Sequence, residues 1–136
     1  MRRIRQYIQL LLIILLASCQ STHQYPAAAD ALDAAREFID ASIRGDFEKA
    51  NAYLLQDEKN KQLLKEEEEK YRAKTNAQQK QLSESSLQNI SIEEVSAKET
   101  IVKFKNSMDK ASRKVKVISV NNRWLVDFKY SFNPNL

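Results

Sequence analysis

The fold is set at residues 43–55, IRGDFEKANAYLL, which contain the only glycine of the protein. Gly45 directly follows an apolar helical repeat, at the position where a left-handed residue commonly ends a helix. Asp46 comes next and is a residue type that caps the first turn of a new helix. The sequence therefore predicts two helices that meet at a tight corner.

On the N-terminal side of this corner, a helix is predicted from about Pro26 to Arg44. Proline suits the first helical position because its missing N–H costs nothing there. Apolar side chains recur along this segment at three- and four-residue spacing and form one stripe: Ala31, Leu32, Ala35, Phe38, Ile39 and Ile43. After the corner, a short second helix is expected to end near Leu55. Residues 57–82 are rich in Ala, Lys, Glu and Gln and contain no Gly or Pro, which favours a third, exposed helix.

From Leu87 onward the apolar period changes to two, which predicts four β-strands joined by short turns. Asn121-Asn122 suits a two-residue hairpin turn, because asparagine tolerates positive φ better than most residues. The strands are expected at about Leu87–Val95, Thr100–Asn106, Ser112–Val120 and Arg123–Phe132.

The last of these strands is the most aromatic element of the chain. Successive side chains of a strand point to opposite faces of the sheet. The residues expected on the inner face, against the helices, are Trp124, Val126, Phe128, Tyr130 and Phe132. Asp127 is expected to point outward.

Helices followed by an antiparallel meander indicate an α+β domain, in which N-terminal helices close the apolar face of a four-stranded antiparallel sheet. The corner at 43–55, together with NNRWLVDF at residues 121–128, resembles small lipoprotein domains of unknown function in the nuclear-transport-factor-2-like, cystatin-like superfamily. The resemblance covers roughly residues 26–132. It implies a curved sheet wrapped around a long helix, often with a conical pocket, and it assigns no catalytic residues.

Three aromatic residues are the candidates for lining such a pocket: Tyr53, Trp124 and Tyr130. Each tyrosine equally suits a structural place in the core, where its hydroxyl would be hydrogen-bonded. Both roles remain open at this point.

The first 19 residues have the layout of a secretory signal. Three arginines lie within the first five positions, and Leu10–Leu16 is an unbroken run of Leu and Ile. The following Leu16-Ala17-Ser18-Cys19 resembles the lipobox of bacterial lipoproteins, and Cys19 is the only cysteine. The resemblance implies lipid attachment to the Cys19 thiol, cleavage between Ser18 and Cys19, and anchoring through two or more acyl chains.

The expected organisation is a signal peptide at 1–18, the lipidated cysteine and a polar tether at 19–25, the domain at 26–132 and a tail at 133–136. Because Gln20 rather than aspartate follows the cysteine, the sorting tendency of lipoproteins points to an outer membrane. The alternatives are a plain signal peptide with an incidental cysteine, or a buried structural cysteine. An uncleaved spanning helix is disfavoured, because crossing a bilayer takes about 20 apolar residues.

The charge balance of the chain argues against nucleic-acid binding. Without the three N-terminal arginines the chain has 19 basic and 18 acidic residues, so nucleic-acid binding loses its electrostatic basis. Five lysines of the strand region are expected to share the outer face of the sheet: Lys103, Lys105, Lys114, Lys116 and Lys129. They form either an ordinary solvated face that also discourages aggregation, or a patch for anionic lipid headgroups, an envelope polymer or an acidic protein.

The sequence contains no recognisable set of catalytic residues. His23, the single histidine, falls in the tether, and no free thiol remains once Cys19 is acylated, so neither a metal site nor a cofactor is expected. We therefore expect a non-enzymatic, lipid-anchored envelope protein that binds or scaffolds an envelope protein or polymer. Two alternatives are a small apolar ligand held in the conical pocket, with or without catalysis, and an inhibitor- or immunity-like protein.

Overall fold

The computed structural model of the protein describes residues 24–132. The predicted signal peptide, Cys19, the first residues of the tether and the 133–136 tail lie outside the described residues. Four helices come first in the chain: α1 Ala31–Arg44, α2 Phe47–Ala52, α3 Glu58–Arg72 and α4 Asn76–Ser83. Four strands and a 3-10 turn follow: β1 Leu87–Ser96, β2 Glu99–Asn106, β3 Ser112–Val120, β4 Arg123–Asp127 and η1 Phe128–Ser131.

The first helix begins later than the sequence predicted. Its N-cap is Asp30, whose side chain accepts a hydrogen bond from the backbone N–H of Asp33. Pro26 lies outside the helix, and its carbonyl accepts a hydrogen bond from the hydroxyl of Tyr53 at 2.9 Å. The predicted start at Pro26 was wrong, because the Asp30 cap begins the helix at Ala31 and the hydrogen bond from Tyr53 holds Pro26 outside it.

The corner at Gly45 is confirmed. Gly45 has a φ of +79°, and its backbone N–H donates to Ser42 at the end of α1. The side chain of Asp46 then accepts from the N–H of Lys49 and caps α2. The ring of Tyr71, from the far end of α3, packs so closely on Gly45 that a Cβ there would lie 2.5 Å from its Cε1 atom. Glycine is thus required for both conformation and space.

Substitution of Gly45 by alanine is expected to lower the free energy of unfolding by about 2 kcal/mol, since a Cβ is disfavoured at this φ and also meets Tyr71. Urea denaturation monitored by circular dichroism measures the loss. In the background of Tyr71→Ala, the same substitution should cost less, because only the backbone conformation remains unfavourable. A loss below about 0.5 kcal/mol in the wild-type background would contradict this prediction.

The polar stretch at 57–82 forms two helices instead of the one predicted. Asp57 caps α3, and Thr75 opens α4 with a reciprocal capping box in which Gln78 takes part. Helix propensity alone favoured one continuous helix over residues 57–82. The local hydrogen bonds instead end one helix at Arg72 and begin another at Asn76.

The sheet is an antiparallel meander with strand order β1-β2-β3-β4. Asn121 and Asn122 both have positive φ, of 50° and 60°, so the predicted tight turn between β3 and β4 is confirmed. The inner face of the sheet packs against α1 in the main apolar core. Among the residues of that core are Ala34, Ala35 and Phe38 from α1 and Val102, Val115, Val117 and Val126 from the sheet. The α+β architecture is as expected from the sequence.

The last strand is shorter than predicted. β4 ends at Asp127, and residues Phe128–Ser131 form the 3-10 turn η1. The free edge of β4 is covered by the segment after α2, where Leu54 pairs in parallel with Val126. Because the chain turns at Phe128, the strict alternation expected up to Phe132 does not hold. Tyr130 is therefore not on the inner face.

Candidate binding surface: the outer face of the sheet

The outer face is the side of the sheet turned away from α1. The cross-strand register places its side chains in four rows: Gln88–Lys105–Ser112, Ser91–Lys103–Lys114, Glu93–Ile101–Lys116–Asp127 and Ser96–Glu99–Ile118–Leu125. An antiparallel sheet commonly packs one face on a core and leaves the other to solvent. The four strand lysines of the predicted basic patch thus share this face.

Two of these lysines and Lys129 are neutralised within the domain. Lys103 lies 2.6 Å from Glu93 across the β1–β2 pair. Lys116 lies 3.4 Å from Glu99 and 4.0 Å from Asp127. Lys129 comes from η1, beside the sheet edge, and its ammonium contacts the carboxylates of Asp57 and Asp127. The five predicted lysines therefore do not make one uniform patch.

Lys105 and Lys114 form no ion pair with any residue between 24 and 132. Lys114 stands directly opposite Lys103 on the neighbouring strand, and like charges in that position repel. Its ammonium nitrogen lies 5.2 Å from the ring centroid of Tyr130, and that of Lys116 lies 4.8 Å from the same centroid. The unbalanced positive charge of the outer face is thus concentrated at Lys105 and Lys114, beside the β2–β3 loop.

A buried polar cluster closes the edge of the sheet where α3 begins. Asn60 is fully buried, and its amide NH₂ donates to Asp57 at 2.9 Å and to Asp127 at 3.1 Å. Its carbonyl oxygen accepts from the backbone N–H of Lys129 at 2.8 Å. We call Asp57, Asn60, Asp127 and Lys129 the α3–β4 cluster. Asp127 lies on the predicted outer side but is buried, since α3 and η1 cover it.

The charges of the α3–β4 cluster stabilise one another. Burial alone would raise the pKa of Asp57, but hydrogen bonds from Lys129 and from the Asn60 backbone N–H outweigh it and lower that pKa. Burial alone would lower the pKa of Lys129, whereas its hydrogen bonds to Asp127 and Asp57 leave that pKa raised. Asp57 therefore contributes stability at pH values above its unfolded pKa near 3.8 and loses it as the pH falls. Lys129 contributes stability below its unfolded pKa near 10.5 and loses it as the pH rises above that value.

The substitution Asp57→Asn keeps a good N-cap but removes the titrating group. We expect the free energy of unfolding of the wild type to fall faster than that of the variant as the pH drops below about 4, because only the wild type must protonate a carboxylate whose pKa folding has lowered. Chemical denaturation at a series of acidic pH values measures both slopes. Equal slopes for the two proteins would contradict the assigned role of Asp57.

The structure does not bring the three predicted pocket residues together. Tyr53 is 3% exposed and lies in the main core, with its hydroxyl donated to Pro26. Trp124 packs on that core from the inner face of β4, and Tyr130 lies on the outer face beside the lysines. Tyr53 and Trp124 thus occupy structural positions in the core, and Tyr130 is separated from them by the sheet.

A shallow groove lies elsewhere, between α2 and α3. It has a volume of about 310 Å³ and is open to solvent. Its lining combines Phe47 and Leu64 with charged and polar side chains: Glu48, Asn51, Lys61, Lys65 and Glu68. None of the predicted pocket residues lines this groove.

The α3–β4 cluster was missed by the sequence reasoning. Asp57 and Asn60 fall in the polar segment 57–82, which the sequence predicted only as an exposed helix. The contact of Asn60 with Asp127 joins residues 67 positions apart, so no local sequence pattern predicts it. Within residues 24–132, no group of three His, Cys, Asp or Glu side chains is placed to hold a metal ion.

None of the four helices in the described part of the chain has the length and hydrophobicity needed to cross a bilayer.

A comparison with known protein families finds no family model that matches this chain, and no curated protein matches it either.

Proposed function

We propose that the protein is a bacterial lipoprotein, held at the cell envelope by acyl chains on Cys19, whose domain is a non-enzymatic module that binds an envelope protein or polymer. The observation that carries the proposal is Leu16-Ala17-Ser18-Cys19, because it places the only cysteine directly after an apolar run and two small residues. That arrangement would supply the thiol, the cleavage site and the apolar stretch needed for lipid attachment and processing.

The proposed location is an outer membrane, with the domain facing the periplasm or the cell surface. Gln20 after the cysteine supports this choice over the inner membrane. The described domain starts at Gln24, so a tether of a few residues would keep it within about 20 Å of the lipid headgroups. The partner is thus expected to be another component of the envelope.

We also propose a superfamily for the α+β domain. The helix–Gly45–Asp46–helix corner, followed by a four-stranded meander in chain order, supports a nuclear-transport-factor-2-like, cystatin-like domain. A small-molecule role would need converging polar groups in a cavity. The hydroxyl of Tyr53 is already bonded to Pro26, and Tyr130 lies across the sheet, so the geometry favours a surface-binding role.

An inhibitor- or immunity-like role is the second candidate, favoured by the largely uncovered outer face. Such a protein would recognise its target through a complementary exposed patch, and Lys105 and Lys114 supply unpaired charge on that face.

Mass spectrometry of the native protein, purified from membranes, tests the anchor. We expect the mature chain to begin at Cys19, with a diacylglyceryl group on its sulfur and a further acyl chain on its amino group. An intact Met1 start, or a mature end elsewhere with an unmodified cysteine, would overturn the proposal.

A further inference from the structure

We propose that the outer face of the sheet docks a protein segment that carries acidic residues at one end and apolar residues at the other. This inference rests on the proposed binding role and adds the surface and the kind of partner. It concerns the side of the domain opposite to α1, so the docked segment would not disturb the core.

The outer face has two chemically different ends. Towards the β2–β3 loop lie Lys103, Lys105 and Lys114, and two of these three ammonium groups have no carboxylate partner among the described residues. Towards the β3–β4 turn lie Ile118, Val120 and Leu125, with Val120 38% exposed, and the register partners of Ile118 and Val120 on the neighbouring strands are Glu99 and Arg123. One end therefore offers positive charge, and the other offers apolar surface flanked by one acidic and one basic residue.

The row Glu93–Ile101–Lys116–Asp127 separates these two ends. Glu93 pairs with Lys103 of the basic end, and Lys116 lies between Asp127 and Glu99 of the apolar end, so the middle of the face carries little net charge. Lys114 and Ile118 are four residues apart on β3, which corresponds to about 13 Å. A partner must therefore present an anionic group and an apolar group at about that separation.

The repulsion between Lys103 and Lys114 supplies a reason for an acidic partner. The two lysines are direct cross-strand neighbours, and Glu93 forms its ion pair with Lys103 while acting on Lys114 only at longer range. A carboxylate placed beside Lys114 and Lys105 would relieve this repulsion and give these two lysines the ion pair that they lack among the described residues.

The spacing favours a protein over the other anionic components of an envelope. A helix of about nine residues, or four residues of extended chain, spans about 13 Å and can carry both kinds of side chain. An anionic glycan supplies charge without an apolar counterpart for Val120 and Leu125. A lipid headgroup supplies charge, but its acyl chains stay within the bilayer.

Fluorescence anisotropy with the full-length acylated protein in zwitterionic detergent tests the inference. The probes are two labelled peptides of about 12 residues, one with a glutamate block followed by a leucine block and one with lysine in place of glutamate. We expect the acidic peptide to bind and the basic peptide not to bind. The affinity should fall when the salt concentration rises from about 0.05 M to 0.5 M.

Charge reversal locates the site. Lys105→Glu combined with Lys114→Glu is expected to weaken binding of the acidic peptide about tenfold, because two attractive contacts become repulsive. Val120→Ser should weaken it about threefold through the apolar end. The matched control is Lys59→Glu with Lys65→Glu, two exposed lysines of α3, which should leave binding unchanged. Circular dichroism of every variant confirms that the fold is retained.

Several results would overturn the inference. One is that the acidic peptide fails to bind, and another is that both peptides bind equally well. A third is that the outer-face and control variants lose the same amount of affinity for the acidic peptide. Binding of vesicles of phosphatidylglycerol and phosphatidylcholine through Lys105 and Lys114, without peptide binding, would assign the face to lipid instead. A failure of Cys19 acylation would remove the anchor but leave the peptide result intact, so the two proposals fail separately.

Discussion

Replacement of Cys19 by alanine is expected to abolish acylation and to move the protein out of the membrane fraction or leave its precursor uncleaved. Alanine removes the thiol that the lipobox resemblance assigns as the acceptor of the lipid. Each buried CH₂ of an acyl chain contributes about 0.8 kcal/mol to membrane binding, so the loss of two or more chains removes nearly all of the anchoring free energy. Membrane fractionation followed by mass spectrometry of each fraction measures the effect.

A conservative change beside the cysteine is the matched control for this experiment. Ser18→Ala keeps a small residue before the cleavage site and keeps the thiol, so it should be processed, acylated and fractionated like the wild type. Identical acylation and partitioning of the Cys19→Ala variant and the wild type would contradict the lipoprotein assignment.

Replacement of Asn60 by aspartate is expected to lower the free energy of unfolding by about 3 kcal/mol at neutral pH. The substitution changes almost no volume. It does remove the NH₂ group that donates to Asp57 and Asp127, and it places a third carboxylate beside these two. Lys129 and Lys116 cannot balance the added charge, since Lys129 already contacts both aspartates and Lys116 lies 4.0 Å from Asp127.

Urea denaturation at several pH values separates the electrostatic cause from a packing defect. The deficit of Asn60→Asp relative to the wild type should shrink as the pH falls, because protonation of the new carboxyl removes the third negative charge and restores a donor. Asn51→Asp, the same change at an exposed position of α2, is the control and should cost less than about 0.5 kcal/mol. A deficit of Asn60→Asp that does not depend on pH would contradict the charge argument.

Much of the fold could be predicted because its decisive signals are local. Gly45 and Asp46 determine the corner through the conformational freedom of glycine and the capping of a helix by an aspartate side chain. Asn121 and Asn122 determine the hairpin in the same way. The late start of α1 involves a distant residue, since the Tyr53 hydroxyl donates to the Pro26 carbonyl outside the helix. The split of 57–82 arose instead from local capping hydrogen bonds that helix propensity does not include.

The candidate surface was predicted only in part. Period-two alternation placed the strand lysines on one face, because side-chain direction in a strand follows from sequence position alone. Which of those lysines lack a carboxylate partner depends on strand register. Lys103 meets Glu93 ten residues away, whereas Lys114 meets Lys103 instead.

The sequence by itself determined that helices precede the strands and where the chain turns at Gly45 and Asn121, since each of these features depends on residues within a few positions of one another. The lipidation of Cys19 stays a prediction from the resemblance of Leu16-Ala17-Ser18-Cys19 to a lipobox. Only the tertiary structure decided that Asp127 is buried against Asn60, that Tyr130 lies on the outer face, and that Lys105 and Lys114 keep their charge unpaired. The physical reason is that burial and ion pairing depend on distances between residues far apart in the chain, which sequence spacing does not fix.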